Sequence, residues 1–371
     1  MSEQLELFVA TRKGLFEYRQ AGDSWELIGR HFLGVPVLIV FPDPRDGTTY
    51  AALNHGHFGT KIHRRMAGQE WEELECPAYP EKPEGLVDED PFRKEPTPWA
   101  VQKIWALEGG GPDHPNRLWC GTIPGGLFLS EDKGNSWELV RSLWDEPARA
   151  EWFGGGEDWP GIHSICVDPR DSNCIRVGVS CGGVWESLDA GATWTCRADG
   201  MRAAYMPPDQ ANNPHTQDPH LMVQCPSSPD TFWAQHHNGI FRSTDACRSW
   251  SEVEPAVSGF GFAVSVHPED GDRAWFVPGI KDELRIPVDG KLVVTHTTDG
   301  GQSFDVQRNG LPQEDAYDIV YRHAMDIGPA GNRLAFGSTT GNLWTTSDGG
   351  QQWELVATHL PPVYAVRYLA R

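Results

Sequence analysis

The sequence predicts an all-β fold, a seven-bladed β-propeller closed by its own C-terminal strand. Three observations carry this prediction. A turn spelled Ser-x-Asp-x-Gly-x-x-Trp, or close to it, recurs at residues 130–137, 187–194, 243–250, 297–304 and 346–353. Two decayed copies precede it, at 18–25 and 63–71. Short apolar runs precede each turn in a fixed order, and the two ends of the chain supply complementary parts of one such unit. A period of this kind marks an array of like units, each packed only on its neighbours.

The unit is clearest at residues 161–194. Residues 162–167 form a first strand (A), and the turn Asp168-Pro169-Arg170-Asp171 follows. Residues 175–180 form strand B, Gly182-Gly183 a tight turn, and residues 184–187 strand C. The Ser-x-Asp turn comes next, and Trp194 opens strand D. Four short antiparallel strands with such turns make one propeller blade. In chain order, residues 5–10 and 14–18 are strands B and C of a first blade, and Trp25 opens its D. The A strands of blades two to seven begin near Val37, Val101, Ile162, His220, Gly261 and Tyr317. The missing A strand of blade one lies at 363–369, so the C-terminus closes the ring and leaves no free inner edge.

One domain over residues 1–371 is therefore expected despite the length. A net charge of −21 argues against a nucleic-acid partner. No apolar run approaches the roughly 18 residues that span a bilayer, and no signal pattern opens the chain. A cytoplasmic protein without a membrane partner is expected. Its eight scattered cysteines then read as thiols.

Strand order separates two faces. The Ser-x-Asp turns and the A–B turns share one face. The B–C turns and D-to-A connections share the other, and they include the long loops at 76–100, 141–161, 197–219 and 278–291. Loops of this length in a compact fold are usually functional. Histidines point the same way. His163, His220 and His323 each stand six residues before the proline of the following turn, and so at similar depth near the axis. The B–C turns add His236, His237, His55 and His57. Imidazoles converging on one axis suit a divalent ion such as Zn, Mn, Fe, Ni or Cu. Gln224 and Tyr364 are placed to reach the axis as well. Lys13, Glu157 and Tyr364 are the candidates for acid–base work. Arg12, Arg285, Trp152 and Trp159 are the candidates for holding substrate.

The Ser-x-Asp-x-Gly-x-x-Trp turns resemble the Asp-box, or BNR repeat, of sialidases and related propellers. The resemblance implies a structural turn, in which Ser and Asp side chains bond the backbone and Gly allows positive φ. Leu284-Arg285-Ile286-Pro287 is similar to the Phe-Arg-Ile-Pro motif of sialidases, but it stands in blade six rather than near the start. The sialidase catalytic residues find no matching context. Other relatives of this architecture include glucanases, assembly factors that hold a partner protein, and, with histidines on the axis, oligogalacturonate lyases.

These readings lead to an enzyme of hydrolase or lyase type, acting on a carbohydrate or other small molecule at a His-rich, metal-binding pocket on the propeller axis. Two alternatives stay open. One is a non-catalytic propeller that binds a protein or glycan. The other is a metal-independent glycoside hydrolase using a carboxylate pair.

Overall fold

The computed structural model describes residues 5–22 and 24–369. Part of the turn at 18–25 lies outside them. Seven four-stranded antiparallel sheets form the blades of a ring. Val363–Leu369 pairs with Glu6–Thr11, so the first blade holds both ends of the described chain. No helix among the described residues is long and apolar enough to cross a membrane. All eight cysteines are unpaired thiols.

The repeated turn works as its side chains dictate. In blade three, Gly134 N–H donates to Ser130 Oγ at 2.8 Å, and Ser136 N–H donates to Asp132 Oδ1 at 2.9 Å. Blades four to six repeat this pattern, and blade seven follows it with Gln352 in the place of Ser136. The glycine position takes positive φ, +86° at Gly134, as the turn requires. Blade five has Cys247 there and still adopts +67°. A further recurring bond ties each turn to the A–B turn of its own blade: Lys133, Ala190, Ala246, Gly300 and Gly349 donate to Asn116, Asn173, Asp230, Asp272 and Asn332. The two kinds of turn therefore occupy one face.

Between blades the core is apolar and aromatic, with Trp119, Trp185, Trp233, Trp275 and Trp353 fully buried. Strand A departs from the expectation in blade seven. It starts only at Met325, and residues 317–324 run as irregular chain. There Asp318 accepts from Ser338, Thr340 and Asn342 in place of a ladder.

In the other blades strand A carries a recurring irregularity. The A–B register shifts at Leu38, Trp105, His163, His220, Phe262–Ala263 and Tyr364. A bulge of this kind frees one residue from pairing and re-aims its side chain. The shifts fall at the aligned position six before proline in blades two, four, five and six. With His323 of blade seven, these residues form a floor across the ring.

The floor separates two cavities. The wider, about 1420 Å³, opens on the face of the long loops. The smaller, about 610 Å³, opens among the A–B turns and reaches Glu108, Gln224 and Arg367. Burial at this second mouth, with Asp43 adding to it against Arg367 and Arg45, pushes the Glu108 carboxyl from 4.5 to about 7. An acid whose folded pKa is raised stabilises the fold below its unfolded pKa, and that contribution is lost as pH rises through about 7. Glu108→Gln is thus expected to leave stability unchanged near pH 4 and to raise it by on the order of 1–3 kcal/mol at pH 8. Denaturant melts at the two pH values check this.

Candidate functional site

The wider cavity is a funnel. Its floor includes Leu38, Trp105, His220, Phe262, His323 and Tyr364, and its walls come from the B–C turns and long loops. The loop at 141–161 contributes Phe153 and Glu157, that at 197–219 contributes Tyr205 and Asp218, and the enlarged turn of blade six contributes residues 280–283 and Arg285. Close approach of the first of these loops depends on Gly155, where an added Cβ would lie 2.6 Å from Cys181 Sγ.

One cluster stands out in the wall. Asp218, His220 and His237 place their ligating atoms within 4.8 Å of one another. Asp218 Oδ1 accepts from Ser180 Oγ and Cys181 N–H, each at 3.1 Å. Its Oδ2 is thereby turned to His220 Nε2 and His237 Nδ1, both at 3.4 Å. His220 has its tautomer fixed. Nδ1 donates to the Gly261 carbonyl at 2.6 Å, so the lone pair of the neutral ring lies on Nε2, and in the protonated ring Nε2–H points to Asp218. Phe262 stacks on this ring at 4.6 Å. Burial opposes ionisation of Asp218, but His220 and His237 outweigh it and hold the carboxyl well below the usual range. Burial also lowers the His220 pKa against the pull of Asp218, whereas in the less deeply buried His237 that pull outweighs burial and the pKa rises. The cluster is thus an ionised carboxylate facing two imidazoles at the side of an open funnel.

The other proposed metal ligands are not brought into this cluster. His236 is buried with Nε2 3.0 Å from the Asp218 N–H and Nδ1 3.2 Å from the Asn238 N–H, so the backbone occupies both edges of its ring. His323 donates from Nε2 to the His163 carbonyl oxygen at 2.8 Å. His163 sits beneath, with Nδ1 2.8 Å from Ser164 Oγ and its ring edge-on to Trp105. Burial pushes His236 and His323 down to about 3, and His163 well below its usual range. These three are neutral core rings: His163 and His323 belong to the floor, and His236 backs the chain at Asp218. His55 lines the rim against Phe58, and His57 is exposed outside the funnel lining. Gln224 lies in the opposite cavity, where it donates to the Pro229 carbonyl.

The remaining candidates divide similarly. Glu157, Tyr364 and Arg285 line the funnel. Glu157 pairs with Lys103 at 2.5 Å, and Arg285 pairs with Asp282 at 2.5 Å. Lys13 and Arg12 are exposed and stand outside the lining. Trp152 is buried against Trp185, and Trp159 meets Arg93 away from the lining, so neither forms a platform for substrate.

The sequence reading passed over Asp218 and Arg322. Asp218 stands two residues before His220 at the start of a strand, and residues so spaced share a face. That parity was the available signal. Arg322 lies in the irregular stretch of blade seven, where no such parity applies.

No family model matches the chain. An 84-residue stretch is 32% identical to the oligoxyloglucan-reducing end-specific xyloglucanase of Emericella nidulans, and equally to a probable enzyme of that name from Neosartorya fischeri. The stretch is 22% of this chain, and it spans only 9% of each of those curated relatives. Among solved structures, an ancestral GH74 enzyme superposes with a TM-score of 0.59 at 16% identity, over 90% of this chain and 38% of that one. YCF48 bound to D1 peptide superposes with 0.53 at 12% identity, over 96% and 84%. A functionally unknown protein from Desulfotomaculum acetoxidans gives 0.57 at 10% identity, over 98% of both chains. At these identities the likeness is one of fold: the chain is a seven-bladed propeller similar in architecture to GH74 enzymes and to YCF48.

Proposed function

We propose that the protein is a carbohydrate-cleaving enzyme of hydrolase type whose reaction centre is a divalent ion held by Asp218, His220 and His237. The observation that carries this reading is the spacing of Asp218 Oδ2 from His220 Nε2 and His237 Nδ1, 3.4 Å in each case. Charge-assisted hydrogen bonds are shorter, about 2.7–2.9 Å. Ligand atoms about 2.0–2.2 Å from a tetrahedral ion stand about 3.4 Å apart. The lone pair fixed on His220 and the ionised Asp218 suit a cation between them, and the bond from His220 to the Gly261 carbonyl is the outer support that metal-binding histidines usually have. Three protein ligands leave a position open to the funnel, as hydrolytic sites require. A bound ion would supply a water of lowered pKa as nucleophile.

The carbohydrate substrate is supported by the local identity to xyloglucanases and by the funnel itself, which has aromatic floor residues and is wide enough for several sugar rings. A carboxylate pair is less favoured, because Glu157, Asp282 and Glu283 are each held in an ion pair. The YCF48 likeness favours a second reading, in which the funnel binds a peptide of a partner protein without chemistry.

Metal analysis of untagged protein, grown with Zn, Mn, Fe, Ni and Cu supplied, tests the proposal. About one ion per chain is expected in the wild type and under a tenth in His220→Ala/His237→Ala. Release of reducing ends from an oligosaccharide panel should vanish on chelation and in the double variant. A metal-free wild type that cleaves glycans would sink the metal, and a protein inert on all glycans but tight on peptides would favour the second reading.

A further inference from the structure

Four cations line the funnel: Lys103, Lys281, Arg285 and Arg322. Three have carboxylate partners. Lys103 meets Glu157 at 2.5 Å, Lys281 meets Glu283 at 3.4 Å, and Arg285 meets Asp282 at 2.5 Å. The fourth funnel carboxylate, Asp218, is turned to His220 and His237. Arg322 is left over. Among the described residues no carboxylate lies at ion-pair distance from it, and its buried Nε has no hydrogen-bond partner.

The surroundings of Arg322 explain how it stays folded without a partner. Its guanidinium carbon lies 4.6 Å from the Trp105 ring and 5.3 Å from the Phe262 ring. Both are floor residues. Aromatic faces attract a cation but leave its in-plane N–H groups unsatisfied. A guanidinium stays charged, and a desolvated charge with unused donors is costly until an anion arrives. The fork of N–H groups matches a carboxylate, which it binds with two parallel hydrogen bonds. A neutral sugar hydroxyl offers no such match. Phe262 links the two parts of the funnel, since it also stacks on His220.

We propose that Arg322 is the docking point for a carboxylate on the substrate, so that the glycan entering the funnel carries a uronate residue beside the bond to be cut. The proposal deepens the glycan reading and rests on it. A divalent ion at Asp218, His220 and His237 would add positive charge and strengthen the preference.

Calorimetric titration of the chelator-treated protein, in which Arg322 acts without any ion beside it, with digalacturonate and with the same disaccharide as its neutral methyl ester, tests the proposal. The pair differs in charge and hardly in shape. Binding of the acid at least about tenfold tighter than the ester is expected in the wild type. Arg322→Gln should bring the acid down to the affinity of the ester, and Arg322→Lys should restore part of the difference. The wild-type comparison stands even where a variant fails to fold. Equal affinities, or a preference for the acid that survives Arg322→Gln, overturn the assignment. Binding of the neutral ester alone, or of neither sugar, overturns it, and the glycan reading then stands or falls on the oligosaccharide panel.

Discussion

Truncation after Pro362 is expected to abolish cooperative folding. The segment removed is the inner strand of the first blade, and it pairs along Glu6–Thr11. Val363, Ala365 and Val366 are fully buried, and Tyr368 and Leu369 nearly so. Burying its four large apolar side chains contributes roughly 1.5–3 kcal/mol each. The sum rivals the roughly 5–15 kcal/mol that holds an ordinary domain together. The loss also uncovers an apolar strand edge, which invites association. Near-UV circular dichroism and size-exclusion chromatography should report a molten, aggregating chain. A truncated protein that melts cooperatively at the wild-type temperature would show that ring closure contributes little.

The second large effect is expected at Asp218. Asn keeps an oxygen for Ser180 Oγ and Cys181 N–H, so Asp218→Asn should fold with its melting temperature close to wild type. It removes the charge from the His220–His237 cluster, and metal occupancy should fall at least tenfold with glycan cleavage falling about 10³-fold, a barrier increase of about 4 kcal/mol. Asp218→Ala should also lose about 2–4 kcal/mol of stability, because two donors lose their acceptor and two imidazoles lose their carboxylate. The split between the variants separates the roles of the two carboxylate oxygens. Equal melting temperatures for Asn and Ala would show that Oδ1 supports nothing.

The architecture was legible because it is local. A turn such as 130–137 is held by its own side chains, so its spelling survives in the sequence and repeats. Counting strands from turn to turn then separated the two faces and found the closing strand. The alignment on proline placed His163, His220 and His323 at one depth, and the structure has the register shifts at Leu38, His163, His220 and Phe262 at that same position, six residues before proline. What it left unread is how floor residues of equal register use their side chains. His323 donates to the His163 carbonyl and the His163 ring turns to Ser164, so both close the floor, while of these three histidines His220 faces Asp218. Those outcomes depend on contacts between blades far apart in sequence. Arg285, the substrate candidate in the enlarged turn of blade six, is paired with Asp282, and the cation without a carboxylate partner among the described funnel residues lies in the irregular stretch before Met325.

The shifted register of the inner strands has a consequence for how such a ring diversifies. A residue released from the ladder at Leu38, Trp105, His220, Phe262 or Tyr364 is exchanged without disturbing its neighbours' pairing. The scaffold thus carries a set of interchangeable pegs around a common hole. Replacing one alters what the hole accepts, and the bolts that hold the ring sit on the far side.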